Sequence, residues 1–563
     1  MNFELPATGT ELNPAFPNAI ACQDWLVTVP LANAVQAQAM FLRQLNLLHR
    51  FTLPATERFA ILEALRGPVS DVQEDAAKKF AAKPLPFSPP EQAALESTLN
   101  VWNMLALGYL RCFDSLCGEN GGYTSAAALK AHQARCAGNK DTASQTAVLV
   151  QRTLSVFADW QVDMCRGEQL PDADYWRTLN QIFAAGETLG IAGRAVNDPV
   201  RHGSAQTSAL AAYAECNLLS TASPYELPAR HLAWVARWAR RWGAKLTLLR
   251  APPEDIRNRA VPLWVDLGSD RPAAYVPQST AGGRWLETTE LRKSLVARIA
   301  LLEQGRAPAE LQLGEDVTQP AAGQLLQRVL QRWCKGGASR RELRQPANGG
   351  CSFIAGFEAV HFQLSGRQAF KAPSRDEATL RREREEFETF GDRSHRISSA
   401  GTKDKDGDSR IENWEVMDDW HLLDESDTGL RIKRQLKDGV RIGAGLLIAV
   451  KSKDKTSFTL GSVRWALREG NDALAAGIQL FPGEPQPASV KPMETGDIAA
   501  AWRQAFMLPG DPAAKRSASL VLPAGTFKLD RKLEIMVDQE VRVLKLFRVL
   551  DRGAEFERCD FQN

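Results

Sequence analysis

The spacing of apolar residues divides the chain into a helical part and a strand-rich part. Over roughly the first 330 residues apolar positions recur every three or four residues, as at Val35, Ala39 and Leu42, which gives a helix one apolar face. The same pattern predicts further helices around 59–65, 102–113, 144–166, 174–190, 229–243, 288–304 and 321–334. Gly67-Pro68 is a strong signal for the end of a helix. Short proline-containing loops favour antiparallel helix packing.

Two stretches depart from the helical pattern before the strands begin. Residues 245–290 contain short β-like runs that start at Lys245 and Val261, and they predict a small sheet insertion. Gly336-Gly337-Ala338-Ser339 is the best candidate for a linker, because small residues with no apolar spacing leave the chain loose.

Beyond the linker, short strand-like runs bounded by turn residues predict a small antiparallel β-barrel. These runs are Cys351–Leu364, Trp414–Met417, Gly429–Ile432, Leu446–Val450, Phe458–Trp465 and Ala476–Phe481. A highly charged stretch at 374–396 and a polar stretch at 398–409 predict a solvated helix and a flexible loop inserted into the barrel. After a predicted helix at Ile498–Phe506, further strands at 519–523, 532–537 and 542–550 extend the barrel or form a second β unit.

The predicted fold class is therefore multidomain, with a large helical region followed by a β-barrel and a β-rich tail. The helical region covers 1–335 and the barrel covers 336–490, with its charged insertion at about 366–410. The tail covers 491–563. A chain of 563 residues is too long for one ordinary core, so several domains are expected.

Composition narrows the partners and the compartment. Lys and Arg total 69 against 67 for Asp and Glu, a net charge of +2, which argues against nucleic acid as a partner and against a polybasic membrane patch. The nine cysteines include no C-x-x-C pair, which fits a reducing cytosol. The N-terminus resembles no signal peptide and apolar runs are too short for membrane insertion. We expect a soluble, cytoplasmic protein.

Two short motifs in the β region carry the candidate chemistry. Arg340 and Arg344 form an R-x-x-x-R pattern that also contains Arg341, and Asp424, Ser426 and Gly429 form a D-x-S-x-x-G pattern. Each motif alone is weak, since the first occurs by chance in an arginine-rich chain and the second in ordinary hairpin turns. Together and in this order, after a linker and among strands, they are much more specific.

In this arrangement the two motifs resemble the PilZ domain, a six-stranded barrel that binds cyclic di-GMP. The resemblance covers about 338–485 and includes the flanking runs Val463–Trp465 and Gly477–Phe481. The interval from Arg344 to Asp424 is 424 − 344 = 80 residues, much longer than is usual in the family. An insertion around 366–410 accounts for the excess.

The resemblance implies a role for each residue of the two motifs. Arg340 and Arg344 hold phosphate and guanine, with Arg341 as an additional contact or a register alternative to Arg340. Asp424 and Ser426 contact the guanine on the barrel face. This suits the ligand, because an arginine pairs bidentately with a phosphate or a guanine edge and also stacks on a base. Gly429 is expected to let the chain turn tightly beside the ligand.

Other motifs are better explained by structure than by chemistry. The acidic loop around Asp406 has Ser409 where a calcium-binding loop needs an apolar residue. Trp234, Trp238 and Trp242 alternate with arginines, which suits single-stranded nucleic acid, but a helix with one buried aromatic face is favoured. The histidines are dispersed, so His361 and His421 are expected on predicted strands of the barrel rather than in a metal site.

These observations favour a cyclic di-GMP receptor, with no catalytic residues, no metal and no cofactor. In this hypothesis the Gly336–Ser339 linker acts as a hinge, and the ligand changes a protein-binding surface on the helical region. The resemblance implies a bacterial source and an output such as motility, pili, exopolysaccharide or biofilm control. The alternatives are an interaction scaffold that binds no ligand, and a helical enzyme regulated by the barrel, which a buried cluster of titratable groups would favour.

Overall fold

In the computed structural model, which describes most of the chain, the protein folds into two compact units. The residues described are 5, 7, 9, 14–118, 123–253, 259–278, 283–337, 344–373, 417–436, 439–470, 472–493, 501–510 and 517–562. The first unit comprises Met1–Lys83 and Phe87–Arg341, and the second comprises Pro84–Pro86 and Glu342–Asn563.

The first unit is built around long helices. Helix α6 is buried along most of its length and packs against α4 and α9. Side-chain caps begin several helices, and α4 has a full capping box between Ser88 and Glu91. The helices are α1 (Ala19–Leu26), α2 (Ala34–Arg50), α3 (Ala55–Ala77), α4 (Pro89–Cys117), α5 (Ala126–Gly138), α6 (Lys140–Arg166), α7 (Ala173–Thr188), α8 (Pro199–His202), α9 (Ala209–Thr221), α10 (Ala229–Trp242), α11 (Thr289–Glu303) and α12 (Ala321–Cys334).

The predicted helix end at Gly67-Pro68 is wrong, because α3 continues through both residues to Ala77. A proline inside a helix removes a hydrogen bond and costs about 3 kcal/mol. The apolar stripe of α3 continues past it, and Val69 and Val72 are buried with Leu65. Each such side chain contributes about 1.5–3 kcal/mol on burial, so packing outweighs the local cost of the proline.

Small sheets interrupt the helices. Strands β1 (Val196–Asn197) and β2 (Gln206–Thr207) form one antiparallel pair. The β-like region at 245–290 forms a three-stranded antiparallel sheet in the order β3-β5-β4, with strands β3 (Thr247–Leu249), β4 (Leu263–Asp266) and β5 (Gly283–Glu287).

The described part of the candidate hinge is tied to α12. Gly337 adopts a positive φ of 79°, and a Cβ there would lie 2.6 Å from the ring of Tyr275. The Gln331 side chain donates a hydrogen bond to the Gly337 carbonyl. Gly337 is therefore held against the first unit, and Ala338 and Ser339 lie outside the described residues.

The second unit begins with a closed barrel of six antiparallel strands, as the sequence predicted. Around the barrel the order is β6-β7-β8-β11-β10-β9. The strands are β6 (Gln345–Ala355), β7 (Asp418–Ser426), β8 (Gly429–Gln435), β9 (Leu447–Ser452), β10 (Thr459–Glu469) and β11 (Ala473–Leu480).

Two local predictions for this barrel need correction. The run Cys351–Leu364 is not one strand, because β6 ends at Ala355 and helix α13 (Phe357–Leu364) follows. His361 therefore lies in a helix, although His421 does lie in a strand. The charged segment 374–416, which includes the first residues of the predicted strand at Trp414–Met417, lies outside the described residues.

The β-rich tail is a second closed six-stranded barrel, with the order β12-β13-β14-β17-β16-β15. The predicted helix at Ile498–Phe506 is wrong over its last turn, where β13 replaces it, and residues 498–500 lie outside the described part. The strands are β12 (Gln486–Pro492), β13 (Arg503–Leu508), β14 (Ser519–Pro523), β15 (Lys532–Val537), β16 (Glu540–Arg552) and β17 (Phe556–Gln562).

The two barrels share a buried interface. Phe357 of α13 packs against Phe506 of the second barrel, with ring centroids 5.2 Å apart. Phe481, at the end of the first barrel, packs against Phe556 at 5.5 Å. The Glu555 carboxylate accepts the backbone N–H of Leu447 at 3.0 Å. Apolar packing and a buried carboxylate therefore connect the barrels directly.

Candidate ligand site on the first barrel

The D-x-S-x-x-G motif forms the hairpin between β7 and β8. Ser426 pairs with Gly429 across the hairpin, and Asp424 pairs with Arg431. Because strand residues alternate between faces, and Leu430 points into the buried core, Asp424 and Ser426 lie on the outer face. The Ser426 hydroxyl is 3.4 Å from the Gly429 carbonyl oxygen, to which it donates.

The structure brings Arg344 to this hairpin. Its Nη1 donates to Asp424 Oδ1 at 2.6 Å, and both side chains are partly exposed. The pairing of Pro346 with Asp424 places the start of β6 beside the end of β7. The pairing of β6 with β7 thus brings together two residues that are 80 positions apart in sequence. Arg340 and Arg341 lie outside the described residues.

Gly429 is required for close approach rather than for an unusual turn. Its φ lies outside the left-handed region, contrary to the expectation that it permits a tight turn. A Cβ at this position would lie 2.9 Å from the carbonyl oxygen of Ile478 and 3.6 Å from Arg344 Nη2. A larger residue would push β11 away from the hairpin.

The outer face next to the hairpin carries an aromatic ring that the sequence analysis did not include among the site residues. Trp465 pairs with Gly477, which in turn pairs with Arg431. A Cβ on Gly477 would overlap the Trp465 indole at 2.2 Å, so this ring covers the space that the glycine leaves open. Trp465 belongs to the run Val463–Trp465 that supported the resemblance. Gly477, which lies opposite it, was the signal in the sequence that could have identified this ring as part of the site.

Further along the same face, Glu469 joins two basic side chains. It lies 2.8 Å from Arg431 Nη2 and 2.9 Å from Lys433 Nζ. Partial burial alone would raise the pKa of Glu469, but the hydrogen bonds and charges of Lys433 and Arg431 hold this pKa below its usual value. The cluster fixes the direction of Arg431 on the wall between Asp424 and Trp465.

The barrel wall that carries the site encloses a buried ion pair. Arg434 Nη1 and Asp418 Oδ2 lie 3.1 Å apart, without the geometry of a hydrogen bond. The guanidinium also lies over the Trp420 ring at 5.0 Å and donates to the Val440 carbonyl. Burial lowers the pKa of Arg434, and the negative charge of Asp418 opposes this effect.

Other candidate sites find structural explanations. Trp234, Trp238 and Trp242 are fully buried, so they are not available for stacking on nucleic acid. His361 is buried against the second barrel and does not meet His421. Within the described ranges, no cluster of His, Cys, Asp or Glu suits a metal ion, and no helix is long and apolar enough to cross a membrane. The acidic loop around Asp406 lies outside the described residues.

The helical unit does contain buried ionisable groups. Arg66 makes two hydrogen bonds to Asp198, at 2.8 and 2.7 Å, and these bonds and the charge of Arg66 overcome burial to hold the pKa of Asp198 well below its usual range. Arg201 lies 3.0 Å from Asp159 and 2.8 Å from Glu215. These carboxylates are engaged by arginines, as expected of ion pairs that join helices.

Three family models match successive parts of the chain. They are the cyclic-di-GMP receptor FimW N-terminal domain over 20–254, the FimW middle PilZ domain over 263–419 and the FimW C-terminal β-barrel domain over 488–563. The middle match ends before the hairpin residues Asp424–Gly429, so the comparison supports the domain and does not test those residues.

A curated relative matches over nearly the whole length. The cyclic-di-GMP receptor FimW of Pseudomonas aeruginosa is 21% identical over 591 aligned residues, which cover 99% of this chain and 92% of the relative. No solved structure matches the chain significantly.

Proposed function

We propose that this chain is a receptor for cyclic di-GMP, because the models of the FimW N-terminal, middle PilZ and C-terminal β-barrel domains match successive parts of it. The ligand site is the outer face of the first barrel around Asp424 and Arg344. The observation that carries the proposal is the 2.6 Å pair between these two residues, which are 80 residues apart in sequence. The name of the curated relative supports the same ligand.

Each side chain has a role that follows from its chemistry. Arg344 pairs with a phosphate or a guanine edge, for which its planar fork is suited. Asp424 and Ser426 accept hydrogen bonds from the ring N–H groups of a guanine. Trp465 offers a ring face for base stacking, a contribution of about 1–3 kcal/mol in nucleotide-binding proteins. Arg340 and Arg341 precede Arg344 in sequence and provide two further guanidinium groups for the same ligand, and we call residues 340–344 the arginine arm.

The arm also suggests how binding is transmitted. It follows the last helix of the first unit and precedes β6, so a ligand that holds the arm changes the freedom of the link between the units. A ligand shifts such an equilibrium only by its difference in affinity for the two arrangements. We propose that this shift alters access of a protein partner to the helical unit.

A receptor role is favoured over an enzyme or a passive scaffold. The buried ionisable groups of the helical unit meet part of the condition that favours an enzyme, but Asp198, Asp159 and Glu215 are engaged by arginines. A scaffold that binds no ligand has no need for the Arg344–Asp424 arrangement. All nine cysteines are unpaired and buried, which fits the reducing cytoplasm that we propose as its location.

The direct test is calorimetric titration of cyclic di-GMP into the full chain. Charged hydrogen bonds contribute about 1.5–3 kcal/mol each, so Arg344→Ala should weaken binding by roughly 10- to 100-fold. Arg344→Lys should bind with intermediate affinity, because it keeps the charge and loses the fork. Arg468→Ala, which removes an arginine near the β10–β11 turn, is the matched control and should bind normally. A folded wild-type protein that releases no heat and gains no thermal stability with cyclic di-GMP would reject the receptor proposal.

A further inference from the structure

The second barrel exposes a row of large apolar side chains on strand β16. Val541 and Val543 are 58% and 48% exposed, and Phe547 and Leu550 are 48% and 39% exposed. Leu544 and Leu546, which alternate with this face, are buried in the barrel core. The apolar row is therefore on the outer wall of the barrel. We call Val541, Val543, Phe547 and Leu550 the β16 row.

The way in which β16 pairs with β17 makes this exposure unusual. The register shifts twice, between Leu546 and Arg548 and between Val549 and Asp551. The residues left without a cross-strand partner are Phe547 and Leu550, and both are exposed. A bulge re-aims side chains and is a designed feature of a strand. Each of the two register shifts thus turns one large apolar side chain towards water. Such exposure is unfavourable unless another surface covers the side chain.

The charges along β16 point to the kind of partner. Its four basic residues each have an acidic neighbour within the same barrel, so they are compensated before any partner arrives. Arg542 pairs with Glu540, Lys545 with Asp530, Arg548 with Asp560 and Arg552 with Glu557. Because the charges beside the β16 row are compensated, they give no advantage to a strongly acidic or strongly basic partner. They are compatible with a second copy of the same surface.

Lys545 lies in the middle of the β16 row. Two apolar positions, Val541 and Val543, precede Lys545, and two apolar positions, Phe547 and Leu550, follow it. A two-fold axis near Lys545 would place the first half of one row against the second half of its copy, as an isologous interface requires. The Asp530 carboxylate holds Lys545 Nζ at 2.8 Å, which reduces the repulsion between the two central lysines.

We propose that the β16 row is a self-association surface, through which two copies of this chain form a two-fold dimer by way of their C-terminal barrels. This inference is independent of cyclic di-GMP binding, because the row belongs to the second barrel and contains none of the proposed ligand residues. The closed barrel leaves no free strand edge, so the contact is face to face rather than by added strands.

Sedimentation of the full chain without nucleotide tests the proposal. We expect a dimer at micromolar concentrations, and Phe547→Asp and Val543→Asp should each weaken dimerisation by at least roughly tenfold, since a buried carboxylate without a partner is strongly unfavourable. Val296→Asp changes a residue of similar exposure, 47%, on helix α11 of the other unit. This control should remain dimeric. Thermal melts of all three variants show whether they are folded.

Cysteine cross-linking locates the axis. Because the nine native cysteines are buried, Lys545→Cys introduces an exposed thiol that meets its own copy near a two-fold axis. Under mild oxidation it should form a disulfide-linked dimer, and Val296→Cys should not. A wild-type chain that is monomeric at high micromolar concentration, or a dimer unaffected by both β16 variants, would overturn the proposal. So would equal cross-linking at the two positions. A loss of cyclic di-GMP binding alone would leave these results unchanged and would concern only the receptor proposal.

Discussion

The two barrels have the same strand order and different contents. In each barrel the first three strands of the sequence lie side by side in order. The circuit then continues through the sixth, fifth and fourth strands and closes on the first. By this correspondence, β7 and β8 of the first barrel match β13 and β14 of the second, and β10 matches β16. The comparison shows what the shared topology leaves free to vary.

The differences lie in the turn, the core and the outer wall. The first barrel has a two-residue turn between Ser426 and Gly429, and the second has a longer connection from Leu508 to Ser519. The first barrel buries both members of the Asp418–Arg434 pair, whereas the buried Glu557 of the second barrel pairs with the exposed Arg552. On matching strands, the first barrel carries the half-buried Trp465 on its outer face and the second exposes the β16 row. One topology therefore carries either the proposed nucleotide site or an apolar surface, according to its outward side chains.

The largest expected effect concerns the fully buried ion pair of the first barrel. Asp418→Ala leaves Arg434 charged, buried and unpaired, so it should lower the free energy of unfolding by about 3–5 kcal/mol. The double variant Asp418→Leu with Arg434→Met should recover most of this loss, because it removes both charges. Chemical denaturation of the full chain provides the measurement. If the single variant were as stable as the wild type, the pair would make no important contribution to the first barrel.

The next effect concerns the matching strands β10 and β16. Trp465→Ala removes the proposed stacking platform and should weaken cyclic di-GMP binding by about 1–3 kcal/mol. Phe547→Ala, on the corresponding strand of the second barrel, should leave affinity unchanged. Calorimetry on both variants separates the roles. Equal losses in the two would show that the effect is general destabilisation rather than loss of a stacking contact.

A glycine comparison tests the geometry of the hairpin. Gly429→Ala should lower the free energy of unfolding by about 1–3 kcal/mol, because its Cβ would lie 2.9 Å from the Ile478 carbonyl oxygen. Both stability and ligand affinity should fall. Gly349→Ala, in β6 of the same barrel, meets nothing within 4 Å and should have little effect on either. Thermal melts and calorimetry decide, and equal behaviour of the two alanine variants would contradict the close-approach explanation.

The smallest effect is a pH dependence at Glu469. Its pKa is lower in the folded chain than in the unfolded chain, so its stabilising contribution is present above the ordinary glutamate pKa and is lost as the pH falls through the folded value. Because the group is partly exposed, the difference between wild type and Glu469→Gln should be below about 1 kcal/mol at pH 7. Denaturation at several pH values should show that difference shrinking as the solution becomes acidic. A difference that grows at low pH would reverse this assignment.

Sequence patterns predicted several elements because local signals and tertiary packing agreed. The strand-like runs bounded by turn residues predicted the first barrel, and the resemblance carried by the two motifs assigned Arg344 and Asp424 to one ligand site. Where the two kinds of signal competed, the prediction failed. Pro68 signalled a helix end, but the buried stripe of α3 continues past it. The run Cys351–Leu364 has the apolar content of a strand, yet its second half is a helix wedged between the barrels.

By itself, the sequence determined the helical and strand-rich halves, the small barrel, and the residue types suited to a phosphate-bearing purine ligand. These depend on periodicity and on chemistry carried by single side chains. Tertiary structure alone decided the closure of the tail into a second barrel, the position of Trp465 over Gly477 and the exposure of Phe547 and Leu550. Each depends on strand register, and register is set by pairing between distant segments, which a local pattern does not contain.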